Sequence, residues 1–128
     1  MGLFGEAKIK VLSIDDSKLI QLTNKNILES AGYKVLLAYS GEEGIKLAKS
    51  GSPDIILLDV TMPGMDGVAT CQVLKRDAKT APIPIIMCTS EQLGSDVEKA
   101  FASGAVGYVI KPVKTDRLLT KITEILSK

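Results

Sequence analysis

A chain of 128 residues with a formal charge of +1 fits one compact domain, large enough to bury roughly two-thirds of the surface its unfolded chain exposes. Acidic and basic residues nearly cancel and never run in blocks, so no field favours nucleic acid or an anionic membrane. Three tyrosines, two phenylalanines and no tryptophan are too few for a base-stacking surface. The absence of histidine removes the commonest zinc ligand and the commonest general base, so any chemistry through a phosphohistidine needs a partner to supply it. Cys71 and Cys88 form no C-x-x-C pair and read as reduced core residues of an intracellular protein. The N-terminus lacks the basic flank and apolar core of a secretory signal, and Glu6 stands where a myristoylation signal after Gly2 wants Ser or Thr. No apolar stretch approaches the roughly 18 residues of a membrane span. A soluble, cytoplasmic protein is expected.

Lys8 to Ile14 reads as a first strand that stops at Asp15-Asp16. Ser17 can cap the helix that follows, with Ile20, Ile27 and Ala31 near helical spacing and Gly32 as its stop. Tyr33 to Ala38 is a short second strand without an ionisable end. Ser40 caps a second helix over Glu42 to Lys49, Ile45 and Ala48 inward, and Gly51-Ser52-Pro53 breaks it. Ile55-Ile56-Leu57-Leu58 is too short for a helix and too uniform for a half-exposed strand, so it is a third strand buried on both faces. It ends in Asp59, at the mouth of a loop rich in turn-formers, Val60 to Gly67. Asp66 is placed to cap a third helix bearing Val68, Cys71, Val73 and Leu74 and ending near Asp77. Pro82 and Pro84 lead into a fourth strand, Ile85 to Cys88, ending at Thr89. A fourth helix from about Gly94 to Ser103 would present Val97, Ala100 and Phe101 on one face, with a weak start at Gly94. The fifth strand, Tyr108 to Ile110, ends at Lys111-Pro112, and Thr115 opens a last helix with Leu118, Leu119, Ile122, Ile125 and Leu126 as its buried stripe.

Five strand-like runs alternating with five amphipathic helices predict an α/β fold, a parallel sheet covered on both faces through right-handed crossovers. Ligands of such sheets bind beyond the carboxyl ends of the strands, where the winding direction reverses. Four strand ends here carry Asp15-Asp16, Asp59, Thr89 and Lys111. Clustered carboxylates repel unless a cation sits among them, and oxygen ligands without nitrogen or sulfur suit Mg²⁺ or Mn²⁺. Such a site, with an ammonium nearby, is suited to receiving a phosphoryl group, with Asp59 as the natural nucleophile. Taken singly, Asp15 or Asp16 also fits a helix cap, Asp59 a loop acid bonded to backbone amides, and Thr89 a turn residue. The combination of complementary types at four strand ends favours the phosphoryl site.

Ile14-Asp15-Asp16, Leu57-Leu58-Asp59-Val60-Thr61-Met62-Pro63-Gly64-Met65-Asp66-Gly67, Thr89 and Gly107-Tyr108-Val109-Ile110-Lys111-Pro112 together resemble a response-regulator receiver domain of two-component signalling, of the single-domain chemotaxis type. The likeness runs from about Lys8 to Lys128 and leaves residues 1–7 as an N-terminal extension. It implies a flavodoxin-like, doubly wound sheet in the order 2-1-3-4-5. It further implies that Asp59 accepts a phosphoryl group from the phosphohistidine of a histidine kinase or phosphotransfer protein. Asp16, Asp59 and the backbone carbonyl of Thr61 would ligate Mg²⁺, Asp15 would hold a metal-bound water, and Lys111, joined to Pro112 by a cis bond, would bind a phosphoryl oxygen. Thr89 would move toward the phosphoryl group and vacate space for Tyr108. A downstream protein target would then read the face formed by the fourth helix, fifth strand and last helix. Ser90 stands where the family often has alanine, and Thr61 and Glu91 occupy positions that tune attack by water. A phosphorelay intermediate and a module of a larger protein fit equally. A Mg²⁺-dependent phosphohydrolase fits less well, because Thr61 stands where such enzymes want a second acid. A flavodoxin-like cofactor binder would meet repulsion between three carboxylates and a flavin phosphate.

Overall fold

A computed structural model describes residues 8–90 and 94–127, with the side chains of Gly94 to Val97 undescribed. The elements in chain order are β1 (Lys10–Ile14), α1 (Lys18–Ser30), β2 (Lys34–Ala38), α2 (Gly41–Gly51), β3 (Ile55–Asp59), α3 (Gly67–Arg76), β4 (Ile85–Thr89), α4 (Gly94–Ala102), β5 (Gly107–Ile110) and α5 (Thr115–Leu126). All five strands are parallel in the order β2-β1-β3-β4-β5. β3 and β4 are buried at every residue, as a doubly covered sheet requires.

Side-chain alternation along the strands sorts the core into two layers. Leu12, Ile14, Ile56, Leu58, Ile85 and Met87 meet Ala48 of α2, Cys71 and Leu74 of α3 and Ala100 of α4. On the opposite face, Val11, Ile55, Leu57, Ile86 and Val109 meet Leu28 of α1 and Leu118 and Ile122 of α5. Capping is local: Ser17 accepts from Ile20 N, Ser40 from Glu43 N and Asp66 from Ala69 N. Gly32, at φ +93°, supplies the left-handed residue that follows α1. No helix among the described residues is long and apolar enough to cross a membrane.

Several sequence expectations shift. β1 begins at Lys10 and β2 at Lys34, while β4 runs on through Thr89 and β5 starts at Gly107. The inward face of α1 is Gln21, Asn24 and Leu28, with Ile20 and Ile27 half-buried beside it and Ala31 exposed. An apolar search passes over that face because two of its three members are polar. Val73 is exposed, because the helical turn that buries Thr70, Cys71 and Leu74 points it outward. Phe101 is also exposed, at the outer end of α4, where it packs on Tyr108 rather than into the core. The expectations for residues 1–7, for Glu91 and for the side chain of Val97 lie outside the described residues.

Candidate functional site

Three strand ends and one loop bring the predicted side chains together. Asp15 and Asp16 follow β1, Asp59 closes β3, and Lys111 follows β5. Each of Asp15, Asp16 and Asp59 offers a carboxylate oxygen within 4.8 Å of the others'. Asp15 and Asp59 are buried and Asp16 is exposed, so the cluster opens to solvent on one side. The Lys111 ammonium spans it, lying 3.0 Å from Asp15 Oδ2 and 3.0 Å from Asp59 Oδ1.

Backbone groups hold the acids in place. Ser17 N donates to Asp15 Oδ1 at 2.9 Å, and Thr61 N donates to Asp59 Oδ1 at 3.3 Å. Lys111 N donates to the Thr89 carbonyl at 2.7 Å, which fixes the root of the lysine against the end of β4. The Lys111-Pro112 peptide is cis. Thr89 is buried at the end of β4, Ser90 after it is exposed, and Tyr108 is half-buried on edge strand β5. The Tyr108 ring meets Phe101 edge-on, with centroids 6.1 Å apart and planes at 86°.

Burial pushes the Asp59 carboxyl above its usual range, and Asp15 adds to the rise; the Lys111 hydrogen bond and the Thr61 amide offset only part of it. For Lys111 burial works toward a lower pKa, but hydrogen bonds to Asp59 and Asp15 outweigh it and the pKa is raised. Both shifts say that the ammonium stays charged while Asp59 remains under-compensated. Three carboxylates against one ammonium leave a formal charge of −2, in an all-oxygen donor set open on one side. That combination fits a hard divalent cation.

Four contributors are given no role by the sequence reading. Gly67 N donates to Val60 O at 2.9 Å, and a Cβ on Gly67 would land on the carbonyl oxygen of Asp59. Only glycine therefore lets α3 start so close to the end of β3. Gln21, Ser13 and Asn24 form a buried polar cluster beneath Asp15. Sequence could have flagged Gly67, already part of the quoted loop motif. Nothing in the spacing of the other three separates them from surface residues.

Fold and site define a class: a doubly wound α/β protein with an acidic, cation-seeking cluster at the point where the winding reverses between β1 and β3. Residues 11–123 match the family described as the response regulator receiver domain, and the chain belongs to that family. It is 35% identical over 118 residues to Protein PilH of Pseudomonas aeruginosa, covering 92% of this chain and 98% of that protein. It is 38% identical to the DNA-binding dual master transcriptional regulator RpaA of Synechocystis, covering 93% of this chain but only 49% of that one. Among solved structures, it is similar to the receiver domain of the sensor histidine kinase PA1611 of Pseudomonas aeruginosa, which has a magnesium ion coordinated in its active site cleft. That similarity has a TM-score of 0.89 at 26% identity and covers 95% of this chain and all of that one. The protein is thus a two-component signalling domain rather than a classical enzyme.

Proposed function

We propose that this chain is a phosphorylatable switch whose acceptor is Asp59, with residues 8–128 as the receiver and residues 1–7 as an extension. The observation that carries the reading is the Lys111 ammonium, 3.0 Å from both Asp15 and Asp59 in a cluster that still lacks positive charge. Asp15, Asp16, Asp59 and the Thr61 carbonyl would hold Mg²⁺, as the magnesium in the related cleft of PA1611 suggests. When bound, the ion supplies the charge that balances the acids and the phosphoryl oxygens.

An Asp59 carboxylate oxygen attacks the phosphorus of a phosphohistidine on a histidine kinase or phosphotransfer protein. The new P–O bond forms as the P–N bond breaks, and the freed imidazole takes up a proton. Lys111 turns from the carboxylates toward a phosphoryl oxygen, and Asp15 would hold a water beside the cation. The Thr89 hydroxyl then bonds the phosphoryl group, and Tyr108 moves into the space it leaves. A protein target in the cytoplasm reads the change on the α4–β5–α5 face. The contacts made only in the phosphorylated state set how far the population shifts.

Incubation with acetyl phosphate and Mg²⁺, followed by intact mass spectrometry, should give one labile phosphoryl adduct that Asp59→Asn abolishes. Stoichiometric labelling that survives the substitution excludes Asp59 as the acceptor. Sustained turnover of small phosphate esters assigns the site to hydrolysis instead.

A further inference from the structure

Beneath the acid cluster lies a polar island inside an apolar layer. Ser13, Gln21 and Asn24 are all buried between β1 and α1, on the face otherwise built from Val11, Leu28, Ile55 and Leu57. Gln21 is fully buried and its amide is fully used. Its Nε2 donates to the carbonyls of Ser13, at 2.9 Å, and Ala38, at 2.8 Å; its Oε1 accepts from Ser13 Oγ at 2.6 Å. Asn24 Nδ2 reaches Ser13 Oγ at 3.5 Å. Leucine or valine would fill these positions without the desolvation cost, and replacing both partners of a buried polar pair by apolar groups of similar shape is often close to neutral for stability. Stability alone therefore does not account for the island.

The bonds close on Asp15. Asp15 N donates to the Ala38 carbonyl at 3.0 Å, the same oxygen that Gln21 Nε2 holds. Gln21 N donates to Ser17 O at 3.0 Å, and Ser17 N donates to Asp15 Oδ1 at 2.9 Å. A closed circuit thus runs from Gln21 to Ala38, to the Asp15 backbone, to the Asp15 carboxylate, to Ser17 and back to Gln21. The other oxygen of that carboxylate is left to receive Lys111.

We infer that Gln21, locked by Ser13, is a positioning residue for the cation and phosphoryl site: its side-chain amide fixes the shared Ala38 carbonyl and so the direction of the Asp15 carboxylate. The inference rests on the proposed role of Asp15 beside the cation. Groups that orient ligands in this way commonly set metal affinity by about 10-fold or more.

The test uses the full chain with Mg²⁺ as the only ligand, read by ¹⁵N NMR at the Asp15 and Ser17 amides. Gln21→Met keeps the length and removes the amide. The double variant Ser13→Val, Gln21→Leu replaces the polar pair with an apolar one and serves where the single variant folds poorly. The half-saturating Mg²⁺ concentration should rise about 10-fold in either folded variant, and the Asp15 amide should exchange faster even without metal. Unchanged Mg²⁺ affinity in a folded variant overturns the inference. In the wild type, Asp15 amide exchange much faster than that of Leu12 also overturns it, because the circuit would not hold. These readouts do not depend on phosphorylation, so a wild type that takes no adduct counts against the acceptor role of Asp59 and leaves the positioning claim to the titration.

Discussion

At the residue scale the tension sits on Asp59. The carboxyl is buried, faces Asp15 and keeps one ammonium, and the net result is a pKa raised from the ordinary 3.8. A native pKa above the unfolded one means that the folded state holds the proton more tightly. The contribution of this group to stability is therefore full below the unfolded value and lost as pH rises through the native one. At neutral pH without a divalent cation, ionised Asp59 works against the fold. Asp59→Asn in a chelating buffer at pH 7 should therefore raise Tm. The gain should shrink as pH falls toward the raised pKa, and saturating Mg²⁺ should reverse the order, since the wild type keeps the ligand. Thermal unfolding at several pH values, with and without Mg²⁺, reads all three effects, and a variant less stable than wild type in chelator at pH 7 contradicts the sign.

At the scale of elements, β3 and α3 are joined more tightly than the loop length suggests. The Gly67 amide bonds the Val60 carbonyl, and the missing Cβ leaves room for the Asp59 carbonyl. Gly67→Ala must push the start of α3 away from the strand end, at a cost of about 1–3 kcal/mol. Chemical denaturation should show that loss, and acetyl phosphate should label the variant more slowly because Asp59 and Thr61 shift with the loop. Labelling at the wild-type rate would separate α3 placement from the site. The elements also show what sequence could carry. The run Ile55 to Leu58 announces a doubly buried strand by hydrophobicity alone, and Ser17, Ser40 and Asp66 announce caps by chemistry that acts within one turn. Gln21 and Asn24 gave no such signal, since a polar side chain satisfied by distant backbone carbonyls has the same local pattern as one satisfied by water. Phe101 misled for the converse reason. Its helical phase with Ala100 suggested core, but the edge strand beside it offered Tyr108 and solvent in place of a closed layer.

Over the whole molecule, the site and the proposed readout face meet at β5, which carries Tyr108 and leads into Lys111. Thr89 and Ile110 are paired in the β4–β5 register, so Tyr108 stands two residues before the strand end that neighbours Thr89. A change at the acid cluster need cross only one strand spacing to reach the α4–β5 surface, where Tyr108 already touches Phe101. Tyr108→Trp, in a chain with no other tryptophan, should therefore change fluorescence on Mg²⁺-dependent phosphorylation. The same variant carrying Asp59→Asn should stay constant, and an unaltered signal in the phosphorylated single variant excludes Tyr108 as the moving element. The Lys111–Asp15 contact joins positions 96 apart in sequence, tying the first strand of the sheet to the turn after the last. In chain order the acids therefore come before Lys111, the ammonium that joins Asp15 and Asp59. The bridge to Asp15 and Asp59 can form only once the chain reaches Lys111, so the pairing of the buried acids waits on the turn after β5.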